Sequence, residues 1–289
     1  MSSALRLLGI FAHPDDESLV CGGTFARYAD QGVETSLIIA TRGERGWFND
    51  WHDYPGEKVL GSLREKEVRK ACQELGISRL DFLDYIDGDV DLANEHEIIA
   101  KLVYLLRQIR PHVVLTFGPD GLYGHPDHIA ISQFTTSAIL CAADQQYPSA
   151  PDLAPHRVSK LYYRFASKAW FTRHMPVFGE LVMQIDGQER RAQSWTDWIL
   201  TTSVDASEYW SQAWRAVLCH KTQFQYPTRL DSLSEQDHRY LWGTQEYYRV
   251  FSLVNGGRKE EHDLFEGLSL PASSSSYSVP HKRGEIASF

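Results

Sequence analysis

Short apolar runs recur along the first half of the chain, separated by longer segments in which polar and apolar residues mix. The runs are rich in Leu, Ile and Val and lack the alternation of a strand with one solvated face. This composition is typical of parallel strands that are buried on both sides. The pattern predicts strands at Leu7–Phe11, Thr35–Ala40, Leu80–Leu83 and Val113–Phe117.

Helical periodicity fills the segments between these runs. In Ser62–Leu75, Ser62 is the predicted N-cap, Glu65 is its capping-box partner and Gly76 follows the end. The apolar positions of this segment share one face: Leu63, Val68, Ala71, Cys72 and Leu75. A second helix is predicted over Glu95–Ile109. Alternating strands and helices predict a Rossmann-like, doubly wound α/β fold with a mostly parallel sheet.

The pattern changes after residue 145, beginning with the proline-rich stretch Pro148–Pro155. Leu161–Phe165 is predicted to be a strand, and Val177–Ile185 with the following Asp-Gly pair resembles a hairpin. Ser207–Leu218 has the pattern of a helix. This part of the chain is therefore expected to complete the sheet and to form part of a substrate pocket.

These observations predict one domain over residues 1–270. Its α/β core is expected at 1–145, and a smaller C-terminal α/β extension at 146–270. The stretch 271–289 contains consecutive serines and few apolar residues, so we predict a flexible tail.

Composition narrows the class of partner. The 289 residues carry a formal net charge of −9, and a chain of this length can bury a sizeable core. Nucleic acids and anionic membrane surfaces require clustered Lys and Arg, so an acidic chain argues against both. No segment has the length and apolar character of a membrane span. We expect a small-molecule substrate, and a homo-oligomer stays open.

The cysteines Cys21, Cys72, Cys141 and Cys219 are widely scattered and form no pair of the kind that binds metal. Three of them fall in helix-like stretches, where a small buried hydrophobe would serve equally well. We interpret them as reduced thiols, which predicts a cytoplasmic location.

Two clusters of potential metal ligands each follow a predicted strand. Ala-His-Pro-Asp-Asp-Glu occupies 12–17, and Tyr-Gly-His-Pro-Asp-His occupies 123–128. Ligands of open parallel sheets bind beyond the carboxyl ends of the strands. If the first cluster turns into a helix, His13 and Asp16 approach one point while Asp15 points elsewhere. Two histidines and one carboxylate suit catalytic zinc, and ferrous iron accepts the same set.

Together, the two motifs closely resemble those of the LmbE-like family of N-acetylglucosaminyl de-N-acetylases. That family includes GlcNAc-phosphatidylinositol de-N-acetylases and the deacetylases of mycothiol and bacillithiol synthesis. Further matches are Thr-Arg-Gly-Glu at 41–44, Arg64, Asp-Gly at 87–88 and His-Lys-Thr-Gln at 220–223. The resemblance covers residues 5 to 225, and the two His/Asp motifs are specific when found together.

The resemblance implies roles for the residues of the first motif and for His128. His13, Asp16 and His128 would be the zinc ligands, and the metal would lower the pKa of a bound water toward neutrality. Asp15 would be the general base, which accepts the proton of that water and passes it to the leaving amine.

Other residues of the second motif would complete the chemistry. His125 would stabilise the oxyanion as an imidazolium, and Asp127 would hold and orient it. Tyr123 stands where some members of the family have a mobile tyrosine that helps to polarise the carbonyl. The alternative for Tyr123 is a loop aromatic that packs on the motif.

Arg64, Glu44 and Asp87 match positions that contact sugar hydroxyls in relatives. Arg64 would be a cation in the first turn of its helix, against the helix dipole, and a surface arginine is the alternative. Glu17 is interpreted as a structural charge at a helix N-terminus. His220 lies either beside the site, which we favour, or at a helix end as a cation.

Two further groups have open or structural interpretations. The aromatic stretch at 47–54 either stacks on sugar faces or packs on the domain surface. Histidines without a matching partner are expected at the surface or in loops: His52, His96, His112, His156, His174, His238 and His262.

The expected function is zinc-dependent removal of an acetyl group from the amide nitrogen of an N-acetylglucosamine-type conjugate. One alternative is an amidase that removes a larger acyl group from a glucosamine-linked conjugate. Another is a non-catalytic sugar- or nucleotide-binding module. Dinucleotide binding is disfavoured because His-Pro-Asp-Asp follows the first strand where a glycine-rich phosphate loop would stand.

Overall fold

The computed structural model describes residues 4–47, 50–148, 152–185, 187–223, 232–257 and 260–268. The predicted tail at 271–289 lies outside these ranges. The strands are β1 (Arg6–Phe11), β2 (Glu34–Thr41), β3 (Arg79–Tyr85), β4 (Val113–Phe117), β5 (Lys160–Arg164), β6 (Val182–Ile185), β7 (Gln188–Arg191), β8 (Thr202–Asp205) and β9 (Thr244–Ser252). The helices are α1 (Asp16–Asp30), α2 (Glu57–Leu75), α3 (Glu95–Ile109), α4 (Gly121–Gly124), α5 (Pro126–Ala143), α6 (Lys168–Phe178), α7 (Trp210–Cys219) and α8 (Glu235–Trp242).

A seven-stranded sheet in the order β3-β2-β1-β4-β5-β9-β8 organises the molecule. The first five strands in that order run parallel, and β9 runs antiparallel to both of its neighbours. The strands β6 and β7 form a separate hairpin. The predicted α/β fold with a mostly parallel sheet is therefore confirmed, including the four strands of the first half.

The order of the strands reverses at the centre of the sheet. From β1 the chain first builds outward through β2 to β3, and it then returns to build β4 and β5 on the other side. Because crossovers between parallel strands are right-handed, the helices of the two halves lie on opposite faces. Accordingly, α1 packs on α2, and α3 packs on α5. The reversal between β1 and β4 is where such sheets bind ligands.

Helix α2, which was predicted over Ser62–Leu75, begins earlier than its capping-box pattern predicts. It starts at Glu57, with Gly56 in the N-cap position, so Ser62 lies inside the helix and the predicted N-cap was wrong. Leu60 is fully buried and anchors the additional turn, which outweighs the local capping-box pattern. Leu63 was expected on the buried face, but it is 37% exposed.

The extension after residue 145 follows the prediction only in part. The expected hairpin exists, but α6 occupies the first residues assigned to it, and its turn residue Asp186 lies outside the described ranges. The predicted helix at Ser207–Leu218 is a short 3-10 turn followed by α7. The pattern indicated neither α6 nor α8. Pro176 inside α6 obscures its periodicity.

The described part of the chain contains no helix that combines the length and apolar character needed to cross a membrane. All four cysteines are free thiols; Cys21 and Cys72 are buried, whereas Cys141 and Cys219 are partly exposed.

Candidate active site

The loop after β1 carries the first cluster in a constrained conformation. Asp15 has a backbone φ of 117°, a value that residues other than glycine rarely adopt. Its backbone carbonyl accepts the first hydrogen bonds of α1. The Asp16 carboxylate turns back and accepts a hydrogen bond of 2.7 Å from the backbone N–H of His13. Strain of this kind persists only where surrounding contacts enforce it, and it is common at functional sites.

The loop after β4 presents the second cluster. Leu122 has a φ of 71°, and His125 takes the N-cap position of α5, with Pro126 in the first turn. Proline is well suited to the first helical position, so helix α5 begins at Pro126, directly after His125. The His128 ring stacks on Phe117, the last residue of β4, at 3.9 Å between ring centroids.

Donor atoms of His13, Asp16 and His128 converge at the switch point. The Nδ1 of His13 lies 3.2 Å from the Nε2 of His128 and 3.8 Å from Asp16 Oδ2. The distance between His128 Nε2 and Asp16 Oδ1 is 3.5 Å. Ligands about 2.1 Å from a tetrahedral metal ion lie roughly 3.4 Å apart. The spacing of the three groups is therefore close to that of a divalent-ion site, with the two carboxylate oxygens of Asp16 facing different histidines, and all three residues are at least nine-tenths buried.

The outer nitrogens of both histidines face hydrogen-bond acceptors. His128 Nδ1 lies 3.2 Å from the carbonyl oxygen of Gly121, so the proton belongs on Nδ1 and the Nε2 lone pair is free. His13 Nε2 lies 3.0 Å from Asp127 Oδ2 and 3.1 Å from Asp87 Oδ1. A proton on this nitrogen leaves the Nδ1 lone pair facing the other ligands. Lone pairs thus converge without a hydrogen between them, as a cation site requires.

Without a metal ion, the surrounding carboxylates favour a second proton on His13. Burial alone would lower the pKa of His13, but the charge of Asp87 and hydrogen bonds to Asp127 and Asp87 raise it well above its usual value, so a metal ion at Nδ1 would take the place of that proton. Burial, reinforced by the charges of His125 and His13, lowers the pKa of His128. The cluster therefore stabilises positive charge at its centre and neutral imidazole at His128.

Two groups of three described residues have single donor atoms close enough together to share a metal ion, and Asp16 belongs to neither. His13, His125 and His128 form one such group, and His13, Asp87 and Asp127 form another. In the first, His125 Nδ1 accepts a hydrogen bond of 3.2 Å from the backbone N–H of Asp127. The second lies on the Nε2 side of His13, where the histidine proton is needed.

Two expectations about the second motif were wrong. The Asp127 carboxylate was expected to orient His125, but it bonds to His13 and accepts the backbone N–H groups of Gly88 (2.7 Å) and Val90 (3.0 Å). His125 was expected as an imidazolium. Burial, followed by the charge on His13, lowers the pKa of His125 to about 4, so the ring is neutral at pH 7.

Asp15 and Arg64 form an ion pair at the cavity, with Arg64 buried and Asp15 partly exposed. One guanidinium nitrogen of Arg64, Nη2, lies 3.3 Å from Asp15 Oδ2 and donates to the carbonyl of Pro14. The other, Nη1, donates to Gly43 at 2.9 Å. Burial raises the pKa of Asp15, and Arg64 opposes this increase. Arg64 is 3% exposed and lies in the second turn of α2, so the first-turn and surface interpretations were both wrong.

Gly43 explains part of the Thr-Arg-Gly-Glu match. Its φ is +64°, and a Cβ at this position would lie 2.3 Å from the Cζ of Arg64. The glycine therefore gives the guanidinium room to lie against the backbone of the loop.

The other expected sugar contacts are placed differently. Asp87 lines the cavity, but Oδ1 faces His13 and Oδ2 accepts the backbone N–H of Arg45. Glu44 is not one of the described residues that line the cavity. Its two carboxylate oxygens accept backbone N–H groups of Arg42 and Asp87. This geometry gives Glu44 a role in holding two loops together.

Tyr123 lines the cavity beside the histidines. Its ring lies edge-on to His128 and His125, with centroids 5.3 Å and 5.9 Å away. In the aromatic stretch, Phe48 and Asn49 lie outside the described residues. The ring centroids of Trp47 and Tyr54 are 6.2 Å apart. The Tyr54 hydroxyl donates a hydrogen bond to the backbone carbonyl of Glu44. Their placement favours packing of the loop.

A buried network behind Asp15 was not foreseen. Glu17 Oε1 lies 2.8 Å from His220 Nε2, and both side chains are fully buried. Glu17 Oε2 accepts the backbone N–H of Asp15 at 3.1 Å, and Ser18 donates to Oε1. Glu17 is thus structural, as expected, but as a buried charge. His220 lies beside the loop that carries Asp15, as favoured, and it is also the C-cap residue of α7, so both interpretations of its position hold.

Among the histidines expected at the surface or in loops, His174 and His238 are buried in α6 and α8, so that expectation was wrong for them, whereas His156 is buried but lies in the loop before β5. His174 lines the cavity from α6 and stacks on Trp170 at 4.1 Å. The i, i+4 spacing of aromatic residues in α6 was the available signal.

The cavity has a volume of about 380 Å³ and two kinds of lining. Polar groups come from the loops after β1, β2, β3 and β4 and from Gln223. Apolar groups come largely from α6, the β6 strand and α8: Trp170, Phe171, Met175, Phe178, Leu181, Met183 and Trp242.

A His/Asp cluster at the switch point of a doubly wound sheet defines an α/β enzyme with a candidate metal centre. The family model described as "PIG-L: GlcNAc-PI de-N-acetylase" matches residues 8–139. The chain is 31% identical over 92% of its length to the 1D-myo-inositol 2-acetamido-2-deoxy-alpha-D-glucopyranoside deacetylase of Rhodococcus jostii (strain RHA1), of which it covers 99%. The chain therefore belongs to the GlcNAc-PI de-N-acetylase family and is a hydrolase, which confirms the resemblance.

Two further comparisons show the range of relatives. The mycothiol S-conjugate amidase of Streptomyces coelicolor (strain ATCC BAA-471 / A3(2) / M145) is 28% identical, with 93% of this chain and 99% of that protein covered. The N,N'-diacetylchitobiose deacetylase from Pyrococcus horikoshii shares the fold, with a TM-score of 0.63 and 19% identity. That match covers 86% of this chain and 84% of the other.

Proposed function

We propose that the protein is a zinc-dependent deacetylase that hydrolyses the acetamide of an N-acetylglucosamine-type conjugate. Family membership and the names of relatives support the substrate class. The convergence of three lone-pair donors at the switch point supports the metal, and it is the observation on which the proposal chiefly depends.

His13 Nδ1, Asp16 and His128 Nε2 would hold the ion. This set agrees with the hydrogen bonds on the outer nitrogens of both histidines, which place the protons away from the centre. His125 fits less well, because its Nδ1 accepts a backbone N–H and its Nε2 then carries the proton. A bound zinc ion supplies a Lewis acid and increases the acidity of water. Ferrous iron is the alternative metal.

Asp15 would act as the general base. It lies beside the ligands in sequence, lines the cavity and has its carboxylate fixed by Arg64. Asp15 would accept a proton from the attacking water and deliver it to the amide nitrogen as the C–N bond breaks. Burial raises the pKa of this carboxyl, which brings a general base closer to the working pH.

His125 would stabilise the oxyanion as a neutral hydrogen-bond donor. With Nδ1 accepting a backbone N–H, the proton on Nε2 is available to the carbonyl oxygen of the substrate. Tyr123 would add a second donor from the same loop. Arg64 and Asp87 would contact the sugar from the polar side of the cavity, whereas Glu44 would support the loops that carry them.

A second candidate is an amidase that removes a larger acyl group from a glucosamine conjugate. The similarity to a mycothiol S-conjugate amidase favours it, and the apolar part of the cavity would accommodate a larger group. Both candidates use the same catalytic residues. A cytoplasmic location and the domain limits given above remain predictions.

Acetate release tests the proposal directly. The zinc-loaded protein is expected to release acetate and free amine from N-acetylglucosamine conjugates, and Asp15→Asn is expected to reduce kcat at least 100-fold while retaining zinc. The matched control is Asp91→Asn, at an exposed carboxylate that is not among the described residues lining the cavity. Undiminished activity of Asp15→Asn with zinc bound would show that the base is another group.

A further inference from the structure

One side of the catalytic cavity is formed by an apolar surface on α6. Phe171, Met175 and Phe178 are spaced as i, i+4 and i+7, so they share one face of the helix, and all three line the cavity. Leu181 and Met183, at the beginning of the hairpin, extend this surface. We name these five residues the α6 wall.

The wall is incompletely covered by the described protein. Met175 is 38% exposed, and the other four side chains are partly exposed. Trp170 and Trp242, which also line the cavity, are almost fully buried. Partly exposed apolar side chains that line a concave catalytic cavity are typical of a surface that binds an apolar part of a ligand.

The opposite side of the cavity is polar. Gly46 follows β2, Asp87 follows β3, and Arg64 reaches the same loops from α2. Gln223 donates to the carbonyl of Gly46 at 3.0 Å. These groups can form hydrogen bonds with sugar hydroxyls but offer no apolar surface to a hydrocarbon group.

The order of the strands places the candidate metal centre between the two sides. Its residues follow β1 and β4, which are central neighbours in the sheet. The polar loops follow β2 and β3 on one flank, whereas α6 follows β5 on the other. An amide held at the centre therefore has one substituent directed to the polar loops and one directed to the α6 wall.

We propose that the substrate is an amphiphilic amino-sugar conjugate, whose alkyl or aryl group binds on the α6 wall while its sugar binds the polar loops. The inference rests on the proposed function, since it assumes that an amide is hydrolysed at this centre. The apolar group is either the acyl chain or the aglycone, because both are hydrocarbon carried close to the amide. A polyol in its place would lose water without gaining hydrogen bonds from the wall.

Two series of substrates distinguish these sources. In the first, N-acetylglucosaminides carry methyl, butyl or hexyl aglycones; in the second, methyl glucosaminides carry N-acetyl, N-butanoyl or N-hexanoyl groups. We expect kcat/KM to rise about fourfold for each methylene that the wall buries, in one of the two series. The series that responds identifies the source of the apolar group.

Variants connect this dependence to the wall. Met183→Asp is expected to abolish the increase of kcat/KM with chain length. Phe178→Ala is expected to reduce, at least threefold, the increase of kcat/KM from the shortest to the longest chain of the series that responds. Val182→Asp is the matched control: Val182 is 40% exposed and points to the opposite face of the same strand, so the increase should persist. If Met183→Asp does not fold, the truncation of Phe178 carries the test.

The outcomes separate this inference from the proposed function. Failure to release amine from any member of either series, with zinc bound, would contradict the proposed function. Release from all members with no dependence on chain length would leave that function intact and overturn the amphiphilic substrate. A chain-length dependence that survives in both Met183→Asp and Phe178→Ala would also overturn it, because the apolar group would then bind elsewhere.

Discussion

The buried ion pair behind Asp15 gives a prediction whose size follows from the structure. Glu17 and His220 are 203 residues apart in sequence, fully buried and 2.8 Å apart. Replacing Glu17 with Gln leaves the His220 side chain without its countercharge. Removing one partner of a buried pair costs about 3–5 kcal/mol. That is a large part of the stability of an ordinary domain, about 5–15 kcal/mol.

The same substitution should impair catalysis more than stability alone explains. Glu17 Oε2 accepts the backbone N–H of Asp15, which holds that residue at a φ of 117°. A glutamine keeps one acceptor oxygen and cannot serve both His220 and Asp15. We expect a lower kcat for Glu17→Gln under conditions in which the variant remains folded, with little change in KM.

Urea unfolding of the zinc-loaded and metal-free protein measures the first effect, and a double-mutant cycle with His220→Gln isolates the coupling. The matched control is Glu208→Gln. Its carboxylate lies 2.7 Å from Arg239, a similar distance, but the pair is exposed and should contribute little. A loss below about 1 kcal/mol for Glu17→Gln, or strict additivity in the cycle, would refute the reasoning.

The direction of the pH dependence also follows from the pair. Although burial opposes both shifts, the partner charges lower the pKa of Glu17 and raise that of His220. The contribution of Glu17 is present above its unfolded pKa and lost as pH falls through the lower folded value. That of His220 is present below its unfolded pKa and lost as pH rises through the higher folded value. The pair therefore stabilises most between roughly pH 4.5 and 6.5.

Three further predictions concern single sites. Asp127→Asn should weaken zinc binding 10- to 100-fold in a competitive chelator titration, because its carboxylate holds His13 Nε2; unchanged affinity would contradict this role. Burial lowers the pKa of His156 to about 4, so between pH 6.5 and 4 the unfolded chain binds a proton that the folded chain does not, and the free energy of unfolding falls by up to about 3 kcal/mol as pH falls. His156→Gln should make the free energy of unfolding less dependent on pH in this range. An equally steep dependence in the variant would count against this role of His156. Gly43→Ala should displace Arg64, lower the free energy of unfolding by about 1–3 kcal/mol and abolish most of the activity. Wild-type values in both the unfolding and the acetate-release assays would show that the loop adapts to the added methyl group.

The central part of the fold and the residues of the candidate metal centre were predictable from local patterns. The strands β1, β2 and β4 are buried on both faces, so their apolar runs stand out in the sequence. The two His/Asp motifs follow β1 and β4, as the local patterns predicted. The adjacency of these two strands, which brings His13, Asp16 and His128 together, is a property of the strand order that the structure shows.

What the sequence did not reveal depends on distant contacts. Asp127 turns from His125 to His13 because backbone N–H groups of Gly88 and Val90, beyond β3, hold its carboxylate. No local spacing relates those residues. The pairing of Glu17 with His220 is equally remote in sequence.

The limits of local signals appear in two helices. In α2, a capping-box pattern at Ser62 was outweighed by the burial of Leu60 two residues earlier. In α6, proline within the helix weakened the periodic signal, so the wall that lines the cavity was not foreseen. Tertiary packing decided both cases.

The account depends most on one divalent ion bound by two loops that are far apart in sequence. Diffraction data collected on either side of the zinc absorption edge, from crystals of the zinc-loaded protein, test this directly. We predict a single strong anomalous peak about 2.1 Å from His13 Nδ1, from a carboxylate oxygen of Asp16 and from His128 Nε2. A peak bound instead by Asp87 and Asp127, or no peak at this end of the sheet, would contradict the account.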